Sequence, residues 1–488
     1  MGSSITVEVR GGGRICVPAS LELITPYVLL EQEDWFEDEI RFVRRFLRPG
    51  MRAVDVGASF GVYTMTMARS VGAEGSVWAF EPTPGTADFL GATLELNQAS
   101  QVRLTRAALS DRPGSVAFRT GEQSELNAVA QPGEPGTVSV PAVTLDQMAA
   151  EQSWGEVDFI KLDVEGHEVE VITGGTALFN SASPLVMFEI KGREGVDLRP
   201  LALLGGMGYR FYRLLPDPPL LVPFDQHASL DAFQLNLFAC KPDRGRLLAA
   251  QRLLAESTSV PPKVAGGAWS NYLRAAPYAR QVARGWPEKA GWFAAADLRA
   301  YLEGLALYAQ SRDPGVDAAV RIMLIEQARQ RVSEATARKD TLPRCVTSAR
   351  LDWELGQRDE AVKALRRAGE RIVAEGHQLV GEPFLAPSPR YEQMSIDAPV
   401  EDWLACAVAE QWERLRSFSS FYTGTSTLGL LESISKAPFG SPEMERRRQL
   451  IRMRAGIQAG PEPKPVLCRH SQDNLNVEYW CGGAGAPV

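Results

Sequence analysis

The chain is poor in cysteine, lysine and histidine, with 6, 9 and 4 of them in 488 residues. Six cysteines are too few for a disulfide framework. Cys16, Cys240, Cys345 and Cys406 each stand alone among apolar neighbours and read as small buried hydrophobes. Cys468 and Cys481 flank His470, but a zinc site there would need a further ligand and tighter spacing. Arginine is the default cation, so a single arginine carries little functional weight. No apolar run approaches the ~20 residues of a membrane span. Residues 1–10 alternate like a strand and lack the basic stretch and apolar core of a secretory signal. Together these features predict a reduced, cytoplasmic protein. A formal charge of −8 argues against nucleic acid as the main partner, because counterion release needs a basic surface. What remains is ordinary for a soluble globular protein: 45% apolar and 23% charged residues. At ~150 residues each, the length allows about three domains.

Residues 5–9 (ITVEV) alternate at period two and stop at Gly11-Gly12-Gly13, which predicts a hairpin. Phe36, Ile40, Val43 and Leu47 recur at helical spacing and predict a helix over 33–47. Acidic residues fill its first half and arginines its second, which complements the helix dipole. Apolar runs at 52–56, 76–80, 157–162 and 185–190 read as buried strands, with room for crossover helices between the first three. That order predicts a doubly wound α/β sheet, parallel and covered on both faces. Residues 102–109 read as a third strand, and 209–214 and 233–240 as the last two. This domain would close near Lys241. Residues 259–270 read as a linker, and helical periodicity follows.

Within that helical part, G-x-x-D-E-A-V-x-x-L-x-x-A at 356–368 fits either the turn and second helix of a tetratricopeptide repeat or an ordinary helical hairpin. The Trp403 and Trp412 stripe reads as core. Residues 424–429 (GTSTLG) read as a turn between helices, because they lack the lysine of a phosphate loop. The expected division is 1–50, hairpin and helix; 51–245, catalytic domain; 246–297, linker and helices; 298–460, helical region; and 461–488, tail. A fragment of 1–245 would then fold alone.

The first buried strand runs into Asp55-Val56-Gly57-Ala58-Ser59-Phe60-Gly61. Gly57 permits a sharp strand-to-helix turn, and Gly61 lets the helix start close to the sheet. The second strand ends at Glu81, near the ~20-residue spacing of an acid that binds ribose hydroxyls. The glycines are G-x-x-x-G rather than the G-x-G-x-x-G of a dinucleotide site. Asp55 would repel a pyrophosphate but attract an ammonium group. These features favour S-adenosylmethionine over a nicotinamide cofactor. The fourth strand ends in Lys161-Leu162-Asp163-Val164-Glu165-Gly166-His167-Glu168, a density of ionisable groups where open sheets bind ligands.

D-V-G-A-x-x-G, F-E-P and K-L-D-V-E-G-x-E, together with EDWFEDEI (33–40) and LVMFEI (185–190), resemble the FkbM family of S-adenosylmethionine-dependent methyltransferases over about half the chain. The resemblance implies a Rossmann-like methyltransferase fold and O-methylation of a sugar or polyketide hydroxyl. It places Asp55, Gly57 and Gly61 at the methionine part of the cofactor, Glu81 at the ribose, Ser110 near the adenine and Asp163 beside the transferred methyl, and counts Ser59 among the cofactor-binding residues. Ser59 stands where the family usually has Asn, and His167 where many members have Ala. An aliphatic hydroxyl needs a general base, and Asp163, Glu165, His167 and Glu189 are the candidates. His167 is favoured because it titrates nearest neutrality. Magnesium on the same carboxylates is the less favoured reading. The partners expected are a small-molecule or glycan acceptor and a protein partner on the helical region. The alternatives are a nicotinamide-dependent oxidoreductase and a non-catalytic adaptor.

Overall fold

The computed structural model describes residues 3–119, 128–129, 137–192, 195–227, 229–255, 268–283, 286, 296–375, 381–397 and 399–457. Cys468, His470, Cys481 and most of the expected linker and tail lie outside them. The hairpin forms as expected, from β1 (Ser4–Val9) and β2 (Gly13–Pro18). The helix expected over 33–47 does not. α1 spans Ile24–Gln32 and ends on Glu33, which sits in the left-handed region at φ 58°. α2 starts only at Glu39 and runs to Phe46. The stretch between is held open by Asp34, which accepts from the Trp35 amide and takes both Nη atoms of Arg44, at 2.7 and 2.6 Å.

Then come β3 (Arg52–Val56), α3 (Val62–Val71), β4 (Ser76–Phe80), α4 (Pro84–Leu96) and β5 (Val102–Thr105). The segment 102–109 is two strands, not one. β6 (Ala108–Leu109) leaves the main sheet and joins β7 (Gly114–Arg119), β8 (Ala128–Val129) and β9 (Thr137–Val143) in a second sheet, ordered β6-β9-β7-β8. α5 (Leu145–Glu151), β10 (Phe159–Leu162), α6 (Glu168–Thr173), α7 (Thr176–Ser181) and β11 (Leu185–Glu189) follow. Next are a two-residue pair, β12 (Lys191–Gly192) and β13 (Gly195–Val196), then α8 (Arg199–Gly206), β14 (Arg210–Pro216), β15 (Pro219–Pro223), β16 (Asn236–Cys240) and α9 (Pro242–Ala250).

The main sheet is ordered β15-β14-β16-β11-β10-β3-β4-β5. Its strands β11, β10, β3, β4 and β5 are parallel; β16, β14 and β15 are antiparallel. The expectation of a parallel sheet therefore holds for one half only. The hairpin β14–β15 turns the chain back without a crossover helix, which two antiparallel strands do not need. Alternate residues of the buried strands serve two cores. Phe159, Leu185 and Met187 pack beneath α1, α2 and α3. Ile160, Leu162, Val186 and Phe188 face the opposite layer, with Val171, Phe179 and Leu204. Coverage on both faces explains why the strands read as continuous apolar runs.

The rest is helical: α10 (Ala268–Ala275), α11 (Ala279–Val282), α12 (Ala296–Ser311), α13 (Ala318–Arg338), α14 (Leu342–Glu354), α15 (Arg358–Glu375), α16 (Pro389–Glu392), α17 (Val400–Arg416), α18 (Ser420–Thr423), α19 (Leu428–Lys436) and α20 (Pro442–Arg454). α14 and α15 form a helical hairpin with Ala361, Leu365 and Ala368 buried. Trp403 is fully buried in this core, and Gly424–Thr427 is a short turn, as expected.

The helical part does not stand apart. Phe421 and Leu450 belong to the same apolar cluster as Val7, Tyr27 and Phe42. Glu31 of α1 is fully buried; its Oε2 accepts from the Ser420 amide at 2.9 Å, and its Oε1 lies 3.4 Å from Arg447 of α20. Arg447 also faces Glu443 and Glu413. A fragment ending at 245 would expose this apolar surface and leave Glu31 unpaired. The sheet's contacts do not close on themselves.

Candidate active site

A cleft of about 500 Å³ opens at the carboxyl ends of β3, β4, β10 and β11. That volume is in the range of small-ligand sites, and the position is where open α/β sheets bind ligands. A second cavity of similar volume lies beside the β1–β2 hairpin, and no carboxylate or histidine lines it.

The turn after β3 is built on glycine. Gly57 has φ 80°, and a Cβ there would stand 1.8 Å from the Asp163 carbonyl oxygen. Gly61 has φ 92°, and its Cβ would meet Leu90 of α4 at 2.5 Å. Gly57 is therefore required first by the neighbouring strand's loop, and any ligand comes second. Ser59 also takes a positive φ, 49°, and its Oγ is buried with no hydrogen-bond partner among the described residues. Glu81 directly follows β4 and accepts from the Ser59 amide (3.0 Å) and the Thr83 amide (2.8 Å). Burial raises its pKa against those two amides. Gly57, Ser59 and Glu81 all line the cleft.

Asp55 does not line it. Its side chain is fully buried; Oδ2 accepts from Thr64 Oγ1 at 2.6 Å, and Oδ1 lies 3.9 Å from Lys161 Nζ. Asp55 and Lys161 are cross-strand partners of β3 and β10. Lys161 in turn donates to Asp163 Oδ2 at 2.9 Å and sits over the Tyr63 ring. Burial alone would lower the lysine's pKa, but Asp163 and Asp55 overcome it and raise it, so Lys161 is held charged. Asp55 thus anchors the lysine that anchors Asp163.

Asp163, Glu165 and Glu189 offer carboxylate oxygens that all lie within 4.8 Å of one another. Glu189 Oε2 is buried without a hydrogen-bond partner among the described residues. Burial, then the Asp163, Glu165, Glu168 and Glu37 carboxylates, push the Glu189 pKa up to about 10. Burial pushes Glu168 up to about 7, although its Oε1 accepts from the Val164 and Gly166 amides. Glu37 accepts from Tyr63 Oη at 2.6 Å, and burial followed by Asp163 raises its pKa too. The lysines lining the cleft, Lys161 and Lys191, are outnumbered by the carboxyl groups of Glu37, Glu81, Asp163, Glu165 and Glu189.

His167, Asp163 and Glu165 line the cleft, but not as an extended strand. β10 stops at Leu162, and Glu165 (φ 55°) and Gly166 (φ 97°) are left-handed, so residue alternation does not aim these side chains. His167 Nε2 lies 3.0 Å from Ser110 Oγ, and Nδ1 lies 3.4 Å from Glu170 Oε2. Burial lowers its pKa in spite of Glu170 and Asp111, so the ring is neutral at pH 7. Nε2 is engaged by Ser110, whereas Glu170 Oε2 beside Nδ1 has no hydrogen-bond partner among the described residues. Ser110 orients that ring and does not line the cleft, whose wall there is Ala108, Leu109 and Phe118.

Sequence reasoning gave no role to Lys161, Glu37 and Tyr63, or to the aromatic side of the cleft: Trp35, Phe36, Phe418 and Tyr422. Lys161, Trp35, Phe36 and Glu37 stand inside the quoted motifs, and Tyr63 two residues beyond Gly61. Phe418 and Tyr422 carried no signal, because they reach the cleft from nearly two hundred residues beyond the expected domain end.

Sheet order and crevice define the class: a Rossmann-like methyltransferase domain followed by a helical region. Residues 55–211 match the family model described as the Methyltransferase FkbM domain. Among curated proteins, the hexuronic acid methyltransferase AglP of Haloferax volcanii is 29% identical over 150 residues, covering 31% of this chain and 59% of AglP. Among solved structures, methyltransferase FkbM from Methylobacillus flagellatus is 17% identical with a TM-score of 0.28, covering 42% of this chain and 50% of its own. An O-methyltransferase from Bacillus cereus, solved with S-adenosylhomocysteine, is 13% identical with a TM-score of 0.24, covering 42% of this chain and 80% of its own. The chain thus spans between half and three-fifths of the first two relatives. Among the described residues, no helix is long and apolar enough to cross a membrane.

Proposed function

We propose that the chain is an S-adenosylmethionine-dependent O-methyltransferase acting on a hydroxyl of a sugar, in particular a hexuronic acid within a glycan. The observation that carries this reading is the carboxylate-rich, orphan-bearing cleft at the sheet's carboxyl ends. It suits a ligand that carries positive charge and opposes a pyrophosphate. The family match and the similarity to a hexuronic acid methyltransferase support the same reading. A polyketide hydroxyl is the second acceptor class, with no observation in its favour.

The buried Ser59 Oγ, the Gly57 turn and the Glu81 carboxylate fit the cofactor. Glu81 would take the ribose hydroxyls, the Gly57–Ser59 backbone the amino-acid part, and Leu109 and Phe118 the adenine face. When bound, S-adenosylmethionine supplies a sulfonium methyl to an attacking oxygen. Lys161 fixes Asp163 at the edge of that position. Glu189 holds a proton in the free enzyme and gives it up when positive charge enters the cluster; it then takes the acceptor's hydroxyl proton. His167 was the first choice by sequence. With Nε2 on Ser110, it serves as a positioning residue for the loop after β10, and Glu189, whose buried Oε2 has no partner among the described residues, takes the place of base. Asp163 and Glu165 remain candidates behind it.

The carboxylate group also has the oxygen donors that suit a magnesium ion. Lys161 already neutralises one member, so a metal stays the less favoured reading. The test is calorimetry with S-adenosylhomocysteine and NADH, followed by incubation with S-adenosylmethionine and a panel of glycosides. We expect binding of the first ligand only, and a product heavier by one methylene that survives mild alkali, as an ether does and an ester does not. Binding of NADH, or a product lost to alkali, would overturn the reading.

A further inference from the structure

The cleft has two unlike sides. Carboxylates occupy the ends of β10 and β11, whereas Trp35, Phe36, Phe418 and Tyr422 occupy the other. The aromatic side is assembled from two distant stretches of chain. Trp35 and Phe36 come from the open segment between α1 and α2. Phe418 and Tyr422 come from the link between α17 and α18 and from α18 itself. Phe36 packs on Phe418 with centroids 5.1 Å apart, and Phe233 packs edge-on to Phe418 at 5.7 Å. The Arg358 guanidinium lies 4.5 Å from the centroids of both Phe233 and Phe418. Gln32 Nε2 donates to the Phe418 carbonyl at 2.7 Å, and Glu31 fixes Ser420. Phe418 is thus pinned by side chains from the sheet's half and from the helical half. Rings held this rigidly lose little freedom when a ligand stacks on them. Besides Lys161, the one cation lining the cleft among the described residues is Lys191, just beyond β11. Its ammonium gives one hydrogen to the Ala232 carbonyl and keeps two.

We infer that the helical region completes the acceptor site: Phe418 and Tyr422, with Trp35, stack on the ring of the acceptor sugar, and Lys191 receives its carboxylate. This rests on the sugar reading above and deepens it. It gives the helical half a direct part in the reaction, because its residues touch the substrate. The lysine also supplies what a carboxylate-rich cleft needs to admit an acidic sugar, since bare glutamates would repel it.

The test uses the full-length enzyme, with methyl β-D-glucuronide and methyl β-D-glucoside as probes. KM for each is measured alongside affinity for S-adenosylhomocysteine. Phe418→Ala and Tyr422→Ala are each expected to raise KM for both probes about tenfold, with cofactor-product affinity changed less than twofold. Tyr422 is 54% exposed, so its truncation leaves the fold intact even if Phe418→Ala does not. Tyr422→Phe should restore the wild-type KM. Lys191→Met should raise KM for the glucuronide about tenfold and leave the glucoside unchanged. Val373→Ala, on an exposed part of α15, sets the baseline. Unchanged KM values in Tyr422→Ala and Lys191→Met, in an enzyme that methylates the glucuronide, would overturn the subsite alone. A wild-type enzyme that binds S-adenosylhomocysteine but methylates neither glycoside would overturn the sugar reading and the subsite with it.

Discussion

Glu189 should release its proton when, and because, a positive sulfur enters the cleft. Its pKa of about 10 reflects burial among carboxylates whose oxygens lie within 4.8 Å of it. A unit cation placed ~4.8 Å from Glu189 would contribute about 3.5 kcal/mol at an effective dielectric constant of ~20, from 332/(20 × 4.8). At 1.36 kcal/mol per pK unit that is about 2.5 units, which brings Glu189 from about 10 to about 7.5. A base poised there matches the working pH. S-adenosylhomocysteine has the same amino-acid and nucleoside parts without the sulfonium charge. Calorimetry near pH 7.5, in buffers of different ionisation enthalpy, should therefore find roughly half a proton released per S-adenosylmethionine bound and close to none per S-adenosylhomocysteine. Glu189→Gln should abolish the difference and lower turnover by about a hundredfold or more. The sign extends to stability. The folded free enzyme binds this proton more tightly than the unfolded chain, so its stability falls as pH rises from the usual glutamate range toward 10. Equal proton release by the two ligands, or a Glu189→Gln enzyme with wild-type turnover, would refute the reasoning.

Arg447→Ala takes the cation from the buried Glu31 and Glu413, while Glu443 keeps Arg414, and should destabilise the protein by roughly 3–5 kcal/mol. Thermal unfolding of the full chain reads that loss directly, and a shift of less than about 1 °C would show that the two halves are not joined there. Gly57→Ala places a carbon against the Asp163 carbonyl in a left-handed turn, so the variant should lower the melting temperature and abolish S-adenosylhomocysteine binding together. Wild-type affinity in that variant would remove the turn from the site. Exhaustive treatment with EDTA should leave turnover unchanged; a loss restored by magnesium would assign the Asp163–Glu165–Glu189 group to a metal.

The parallel half of the sheet was legible because strands buried on both faces leave unbroken apolar runs, and because a glycine turn and an acid at fixed spacing mark a nucleotide crevice. The antiparallel edge was less so. β15 is a five-residue proline-bounded strand, and nothing in its composition separates it from a loop. The helix expected over 33–47 failed because apolar spacing continues through a segment that the Asp34–Arg44 pair holds open. The choice of His167 as base rested on its ordinary pKa, and a sequence cannot report that its Nε2 sits on Ser110 Oγ. Glu189 was one candidate among four, because a sequence cannot report how many carboxylates converge on one strand end. The shared core of the two halves was invisible, since Glu31 and Arg447 are more than four hundred residues apart.

The central claim is methyl transfer to a sugar hydroxyl at the Glu189 side of this cleft. Its most direct measurement is the transfer of labelled methyl from S-adenosylmethionine to methyl β-D-glucuronide by the full-length enzyme and by Glu189→Gln. The account predicts an alkali-stable methyl ether from the wild type and at least a hundredfold slower formation by the variant, with S-adenosylhomocysteine still bound. An enzyme that binds the cofactor yet labels no sugar hydroxyl, or that labels it equally well without Glu189, would contradict it.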